Sequence, residues 1–423
     1  MGSCVENLED YNVDQKSAAN VPPATLYTGA VKELSDVITT PDVLADLGES
    51  KRLVEEDAFT TDAIKGNQMA QIEIMEVFAW SVLLNTFGNV PYSEALNPDN
   101  SLPAYDDAAT VYEEILSRLD AALNRIDPDE TGFDEGDIIY EGDMELWWKF
   151  GNTLKLNLGM VIADVNSSLA QSAVEAAAPN VFMDNSDNGA FPYLSAPPNN
   201  NPVSEEMNPL FTSRQDYVVA NTLVDAMNEL NDPRRAFYFT QVDGEYKGGI
   251  YGFSNSYSDF STINPTITDP TFEALLLDYS EVKFLLAEAV ERGYNIEGTA
   301  EEHYNEAIAA SIAYWGGTEE QTNTYLAQPQ VDYSSAPGDW KDKIGNQKWI
   351  ALYNRGYDAW LEWRRLDAPD LQPPSVEGAS ELVIPKRVIY PINEQTLNGT
   401  NRSAAGQAIG GDNSETYLWW DIE

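Results

Sequence analysis

Apolar residues recur every three to four positions along most of this chain, the spacing of one face of an α-helix. Ile72, Met75, Ala79, Val82 and Leu83 follow it, and Ile74, Phe78 and Leu84 extend the apolar surface almost all round. The pattern predicts a long buried helix over about 67–87. Gly88-Asn89 should end it, and Val90-Pro91 should lead away as an extended connection. Asp106 or Asp107 caps the next helix, whose stripe runs Val111, Tyr112, Ile115, Leu119, Ala122, Leu123 and Ile126. A further helix over about 145–164 carries Trp147, Phe150, Leu154, Leu158, Val161 and Ile162. Shorter helices are expected over about 25–38, 42–53 and 217–230. Those over about 278–293 and 299–315 together have the length of one tetratricopeptide-type hairpin.

The densest pattern lies in NQKWIALYNRGYDAWLEWRRLDAP, residues 346–369. Read as one helix, it places Trp349, Leu352, Tyr353, Gly356, Trp360 and Trp363 on one face. Asn354, Asp358, Glu362 and Arg365 fall on the other, and Pro369 ends the run. Three indoles are more apolar surface than one helix can bury alone, so this is expected to brace a larger helical body. Gly356 within that face predicts a close approach by another backbone. Arg364, at its border, predicts a carboxylate partner. Trp147 and Trp315 are read as core by the same spacing, and Trp419-Trp420 as a pin for the C-terminus.

Between the helical halves the pattern disappears. Residues 180–209 are rich in Asn, Pro, Ser and Asp, with PPNNNP at 197–202, and a loop that long is usually functional or mobile. A glycine and aromatic stretch follows, with Tyr246, Gly248, Gly249, Tyr251, Gly252, Phe253, Tyr257 and Phe260. Residues 384–391 read as an extended, strand-like run between two prolines.

Charge and rare residues narrow the chemistry. A formal net charge of −46 repels phosphate backbones and anionic lipid, so nucleic acid is not an expected partner. One cysteine, Cys4, allows neither an internal disulfide nor a thiolate metal cluster. The single histidine, His303, lies on a helix one turn from Ala300 and Ala307 and reads as structural. No phosphate loop, dinucleotide fingerprint, nucleophile elbow or EF-hand spacing is present, so no cofactor and no metal site is expected. A two-carboxylate glycosidase survives on counting alone, because acidic residues are abundant. No apolar stretch reaches transmembrane length. The Met1-Gly2-Ser3-Cys4 start reads either as the acylated cysteine of a bacterial lipoprotein or as a free cysteine.

QKW at 347–349 followed by AWLEWRR at 359–365 resembles the signature of the SusD/RagB-like outer-membrane lipoproteins. More narrowly, it resembles their SusD-like subgroup, whose members end in a WWD segment, here residues 419–421. GNVPYSEA at 88–95 and WWKFGNTLKL at 147–156 are similar to the same family. The resemblance implies an all-α, tetratricopeptide-like scaffold of helical hairpins with a loop-rich lobe. It also implies a non-catalytic Bacteroidetes surface protein that captures oligo- or polysaccharide for polysaccharide utilization. The ligand would pass to a SusC-like TonB-dependent transporter. Cys4 would then be the lipid attachment point, holding the protein on the outer membrane facing the medium. One departure stands out: residues 41–44 follow directly where the family usually carries an aromatic-rich stretch.

On this reading residues 1–23 are a tether and residues 24–423 one SusD-like domain. Its scaffold covers about 24–165 and 275–370, and its lobe about 180–274. Sugar rings present C–H faces that stack on aromatic rings, and hydroxyls that need short polar partners. Aromatics in Gly, Pro or Asn loops, where no helical face demands them, are the candidates: Tyr193, Tyr251, Phe253, Tyr257, Tyr333 and Trp340, with Asn200. Loop packing is the alternative for each. A tetratricopeptide-type adaptor is the rival for the whole chain; it would need an open concave groove and no lipid anchor.

Overall fold

The helices form where the apolar periodicity places them, and short polar side chains set their ends. The computed structural model describes residues 21–36, 41–374 and 382–422; Cys4 lies outside them. α1 (Pro23–Asp36) packs on α2 (Pro41–Glu56), and α2 on α3 (Asp62–Phe87). α3 starts where Thr61 Oγ1 accepts the Ile64 amide, and ends at Gly88, whose φ of 82° favours glycine. α4 (Ala108–Leu123) is capped by Asp107, as expected, and packs between α3 and α5 (Met144–Val161). α5 also packs against α6 (Ser167–Ala177), a Ser- and Ala-rich helix whose buried stripe is Ala170, Ala173, Val174 and Ala177.

The lobe follows. β1 (Gly189–Phe191) pairs antiparallel with β2 (Ala274–Leu277), the single ladder among the described residues. Between the strands lie α7 (Pro202–Met207), α8 (Asn221–Glu229) and α9 (Arg235–Tyr238). α10 (Tyr279–Glu291) and α11 (Ala300–Tyr314) form the predicted hairpin, extended by α12 (Glu319–Leu326). α13 (Trp340–Ala351) and α14 (Gly356–Leu366) come next, then α15 (Glu394–Leu397) and α16 (Gly399–Ala408). The architecture is all-α, built from tetratricopeptide-like helical hairpins.

The main apolar core gathers α1 to α6 with Leu276, Leu285 and Trp420. A second cluster centres on Phe284, Tyr304, Tyr325 and Ile344. A third lies under the lobe at Val224, Met227, Tyr238 and Ile350. Fully buried Arg234 ties the lobe to the scaffold. It pairs with Asp232 at 2.6 Å and donates to Ser311 Oγ at 3.0 Å and to Gln347 Oε1 at 3.2 Å.

Residues 346–369 depart most from expectation. They are two helices, broken at residues 352–355, with Asn354 in the left-handed region at φ 65°. Tyr353 in the break stacks on Tyr238, with centroids 4.1 Å apart. Gly356 meets no backbone: a Cβ there would have nothing within 4 Å. It simply begins α14. The polar face is the buried one, for Glu362, Arg364 and Arg365 are enclosed while Trp360 and Trp363 are only half-buried. Among the described residues Arg364 forms no ion pair with a carboxylate. It lies between the rings of Trp360 and Trp420, at 3.5 and 4.9 Å, and donates to the carbonyls of Asn85, Trp360 and Lys386.

Charges from distant parts of the chain explain the inversion. Arg365 binds Glu362 and Glu288; Lys348 lies 2.7 Å from Glu362; Arg292 joins Glu288 at 2.7 Å and Asp164 at 2.6 Å. Arg355 reaches Asp278 at 2.7 Å, Glu281 at 2.8 Å and Asp358 at 2.9 Å. A buried charge is tolerable only with partners and satisfied hydrogen bonds, and here both are supplied across the helix interfaces.

Two smaller differences follow from local chemistry. The helix expected from about residue 217 begins at Asn221, because Val219 and Ala220 are held extended: the Val219 amide donates to the Ser261 carbonyl, and Ala220 bridges to Gly249. Residues 384–391 join no ladder; the run lies against the end of α3, where the Val388 amide donates to the Thr86 carbonyl at 3.0 Å.

Candidate functional site

The glycine and aromatic stretch becomes a tightly pinned turn. Gly248 packs on α8 so closely that a Cβ would lie 2.3 Å from Asn221 Cα. Asn221 Oδ1 accepts the Tyr251 amide at 3.0 Å. Asn255 holds the turn from within: its Oδ1 accepts the Ile250 amide and its Nδ2 donates to the Ile250 and Phe253 carbonyls. The backbone is thus satisfied internally, and the side chains are left outside. Ile250 is 54% exposed, Tyr251 48%, Phe253 46% and Tyr257 37%. Solvent-facing aromatic surface on a pinned backbone makes this turn a candidate interaction site. Tyr217, four residues before the start of α8, is likewise 47% exposed, with the Arg214 guanidinium 5.4 Å from its ring. The apolar spacing predicts a helix from about residue 217, but the β-branched pair Val218-Val219 favours extended backbone, and Tyr217 stands outside the helix.

The Asn- and Pro-rich loop is placed differently. Tyr193 is buried, edge-on to Phe191 with centroids 5.0 Å apart. Asn200 is buried too, and its Nδ2 donates to Ser204 Oγ at 2.8 Å. Asn201 holds the loop to residues 267–270, its Nδ2 donating to the Ile267 and Asp269 carbonyls and its amide to Pro270 O. The loop forms a wall shared by two cavities. One, of about 220 Å³, reaches from Tyr193 and Asn201 across β2 to Tyr357 and Asp358. The other, of about 660 Å³, lies toward α1, between Thr28, Lys32, Phe191 and Asn199.

Tyr333 and Trp340 sit on the scaffold. Tyr333 leans on Tyr304 and donates to Glu291 at 2.7 Å. Trp340 is not in a loop but begins α13 behind the Asp339 cap, half-buried with Arg292 5.3 Å from its ring. Among the described residues no ring contact or hydrogen bond joins this pair to the Tyr251 turn, so the seven candidates form separate sets. His303 is buried, its Nε2 2.8 Å from the Glu297 carbonyl, and burial lowers its pKa. No group of acidic, His or Cys residues among those described could hold a metal ion.

Comparison with known proteins places this geometry in context. Residues 24–391 match the SusD-like family model described as "Starch-binding associating with outer membrane". No curated protein matches the chain. Among solved structures, a chitin-binding protein is similar at 25% identity and a TM-score of 0.78, covering 95% of this chain and 97% of its own. A SusD homologue from Bacteroides uniformis is 25% identical, with a TM-score of 0.79 over 96% of this chain and 91% of that one. A chitin-binding SusD homologue from Flavobacterium johnsoniae is 26% identical, with a TM-score of 0.76, covering 95% and 91%.

Proposed function

The chain belongs to the SusD-like family, and from that membership we propose that it captures an oligo- or polysaccharide at the cell surface without cleaving it. The observation that carries this reading is the pinned turn with Tyr251, Phe253 and Tyr257 outside. A backbone held in place loses little freedom when its rings stack against a sugar, so more of their contact area goes into affinity. The net charge of −46 opposes anionic glycans, which favours neutral chains of the starch or chitin type. Tyr251→Ala combined with Tyr257→Ala is the test, with maltohexaose and N-acetylchitohexaose as probes. Truncating an aromatic anchor removes on the order of 1–3 kcal/mol each. The bound hexasaccharide should therefore weaken at least about tenfold by calorimetry, with an unchanged melting temperature. Wild-type affinity in the double variant would remove the turn from the site. New reducing ends during incubation would instead favour a glycosidase. Trp340→Ala asks whether the scaffold set adds a contact for longer chains.

The finer reading is that Cys4 carries the acyl chains and that the captured glycan passes to a SusC-like TonB-dependent transporter. One acyl chain binds a bilayer only marginally, so several are required. Precursor carrying Cys4→Ala should leave the membrane fraction, and native pull-down of the unaltered protein should recover a large β-barrel. Retention of the variant in the membrane counts against the anchor, and a pull-down without a barrel counts against the partner.

A further inference from the structure

The smaller cavity has features that the exposed turn lacks. Its volume of about 220 Å³ equals the liquid volume of roughly seven waters at about 30 Å³ each, the scale of a single sugar ring. Phe78, Val82, Tyr193 and Tyr357 supply apolar and aromatic wall, while Asp358 and exposed Asn354 supply polar groups; Asn201 is taken up by the loop. Both bonds from Arg355 to Asp358 land on Oδ2, leaving Oδ1 without a hydrogen bond among the described residues. Arg355 itself is occupied by Asp278, Glu281, Asp358 and the Leu276 carbonyl, so it has little to offer an anion. Glu273 on the opposite wall opposes an anion further. Burial raises the pKa of the Asp358 carboxyl while Arg355 opposes the rise, and the carboxyl's Oδ1 can accept from a hydroxyl. Mixed acceptors and donors beside aromatic wall suit a neutral polyol.

We infer that this cavity is a subsite for one neutral pyranose unit, admitting a chain end or a single-sugar branch while the exposed turn holds the body of the glycan. The inference rests on the glycan-binding reading and sharpens it: affinity would depend on chain ends as well as on chain length. Gly356 provides the means of testing it. It lines the cavity, is exposed, and has open space where a Cβ would point. Gly356→Ala should leave the cavity usable, whereas Gly356→Phe should fill it.

Calorimetry with glucose, N-acetylglucosamine and their linear hexasaccharides separates the sites. One monosaccharide should bind the wild type, Gly356→Ala and the Tyr251→Ala/Tyr257→Ala variant alike, and be lost in Gly356→Phe. The matching hexasaccharide should weaken about tenfold in Gly356→Phe, the scale of one hydrogen bond. If folded Gly356→Phe binds every sugar as the wild type does, the subsite is overturned and the turn reading stands. Monosaccharide binding lost only in the turn variant overturns it equally. A wild type that binds neither hexasaccharide overturns both readings. Wild-type crystals soaked in the two monosaccharides give an answer independent of variant folding: a ring against Tyr357 and Phe78 supports the subsite, and an empty cavity overturns it.

Discussion

Replacing Arg365 by alanine is expected to destabilise the protein by about 3–5 kcal/mol, the cost of breaking a buried ion pair from one side. Its guanidinium is enclosed and donates to Glu362 at 2.6 and 3.2 Å and to Glu288 at 2.5 Å. Without it, two buried carboxylates keep only Lys348 and Arg292 as cationic partners. Arg52→Ala is the control, because its partners Glu49 and Glu56 are exposed, solvent screens the pairs, and the loss should be far smaller. Denaturant unfolding followed by tryptophan fluorescence measures both, and equal losses would refute the distinction. The same network predicts an acid limb. Burial would raise Glu362, but Arg365 and Lys348 outweigh it and hold the carboxyl at about 2. Its folded pKa thus lies below the unfolded value of about 4.3. The stability it contributes is present above about pH 4.3 and lost as pH falls toward 2. In Arg365→Ala that loss should begin at higher pH.

Trp420→Ala is expected to cost a similar amount, about 3–5 kcal/mol, for a different reason. The indole is 2% exposed and belongs to the main core, so truncation leaves a cavity that the helices around it cannot close. It also covers one face of Arg364, whose other face lies on Trp360. Burial lowers Arg364 to about 10, a sign of how little water reaches it. With Trp420 gone, water gains access to that guanidinium, and its hold on the Asn85 and Lys386 carbonyls weakens. Trp420→Phe should recover part of the loss by restoring a ring beneath Arg364. An alanine variant within about 1 kcal/mol of wild type would mean that the C-terminal segment does not brace α3 and α14.

The sequence by itself determined the helical class, the scaffold hairpins and the loop-rich centre. These depend on intervals of three or four residues, and such intervals are local. The exposed turn was legible for the same reason: Tyr251, Phe253 and Tyr257 stand among glycines and serines, with no neighbouring face to cover them. α16 was not legible, because small and polar residues make most of it; α6 does carry a stripe, Ala170, Ala173, Val174 and Ala177, but alanines make it faint. Only the tertiary structure decided which face of α14 is inside. Arg365 meets Glu288 across 77 positions, and Arg355 meets Asp278 across another 77. A charged face reads as solvated until its partners are known, and no local pattern contains them. Tyr193 needed the same long-range information, since it shares its cavity with β2 and α14, whereas Asn200 is held by its near neighbour Ser204. Side-chain period sets the element, but burial of charge is set by complementarity between elements, and that exists only once they have packed.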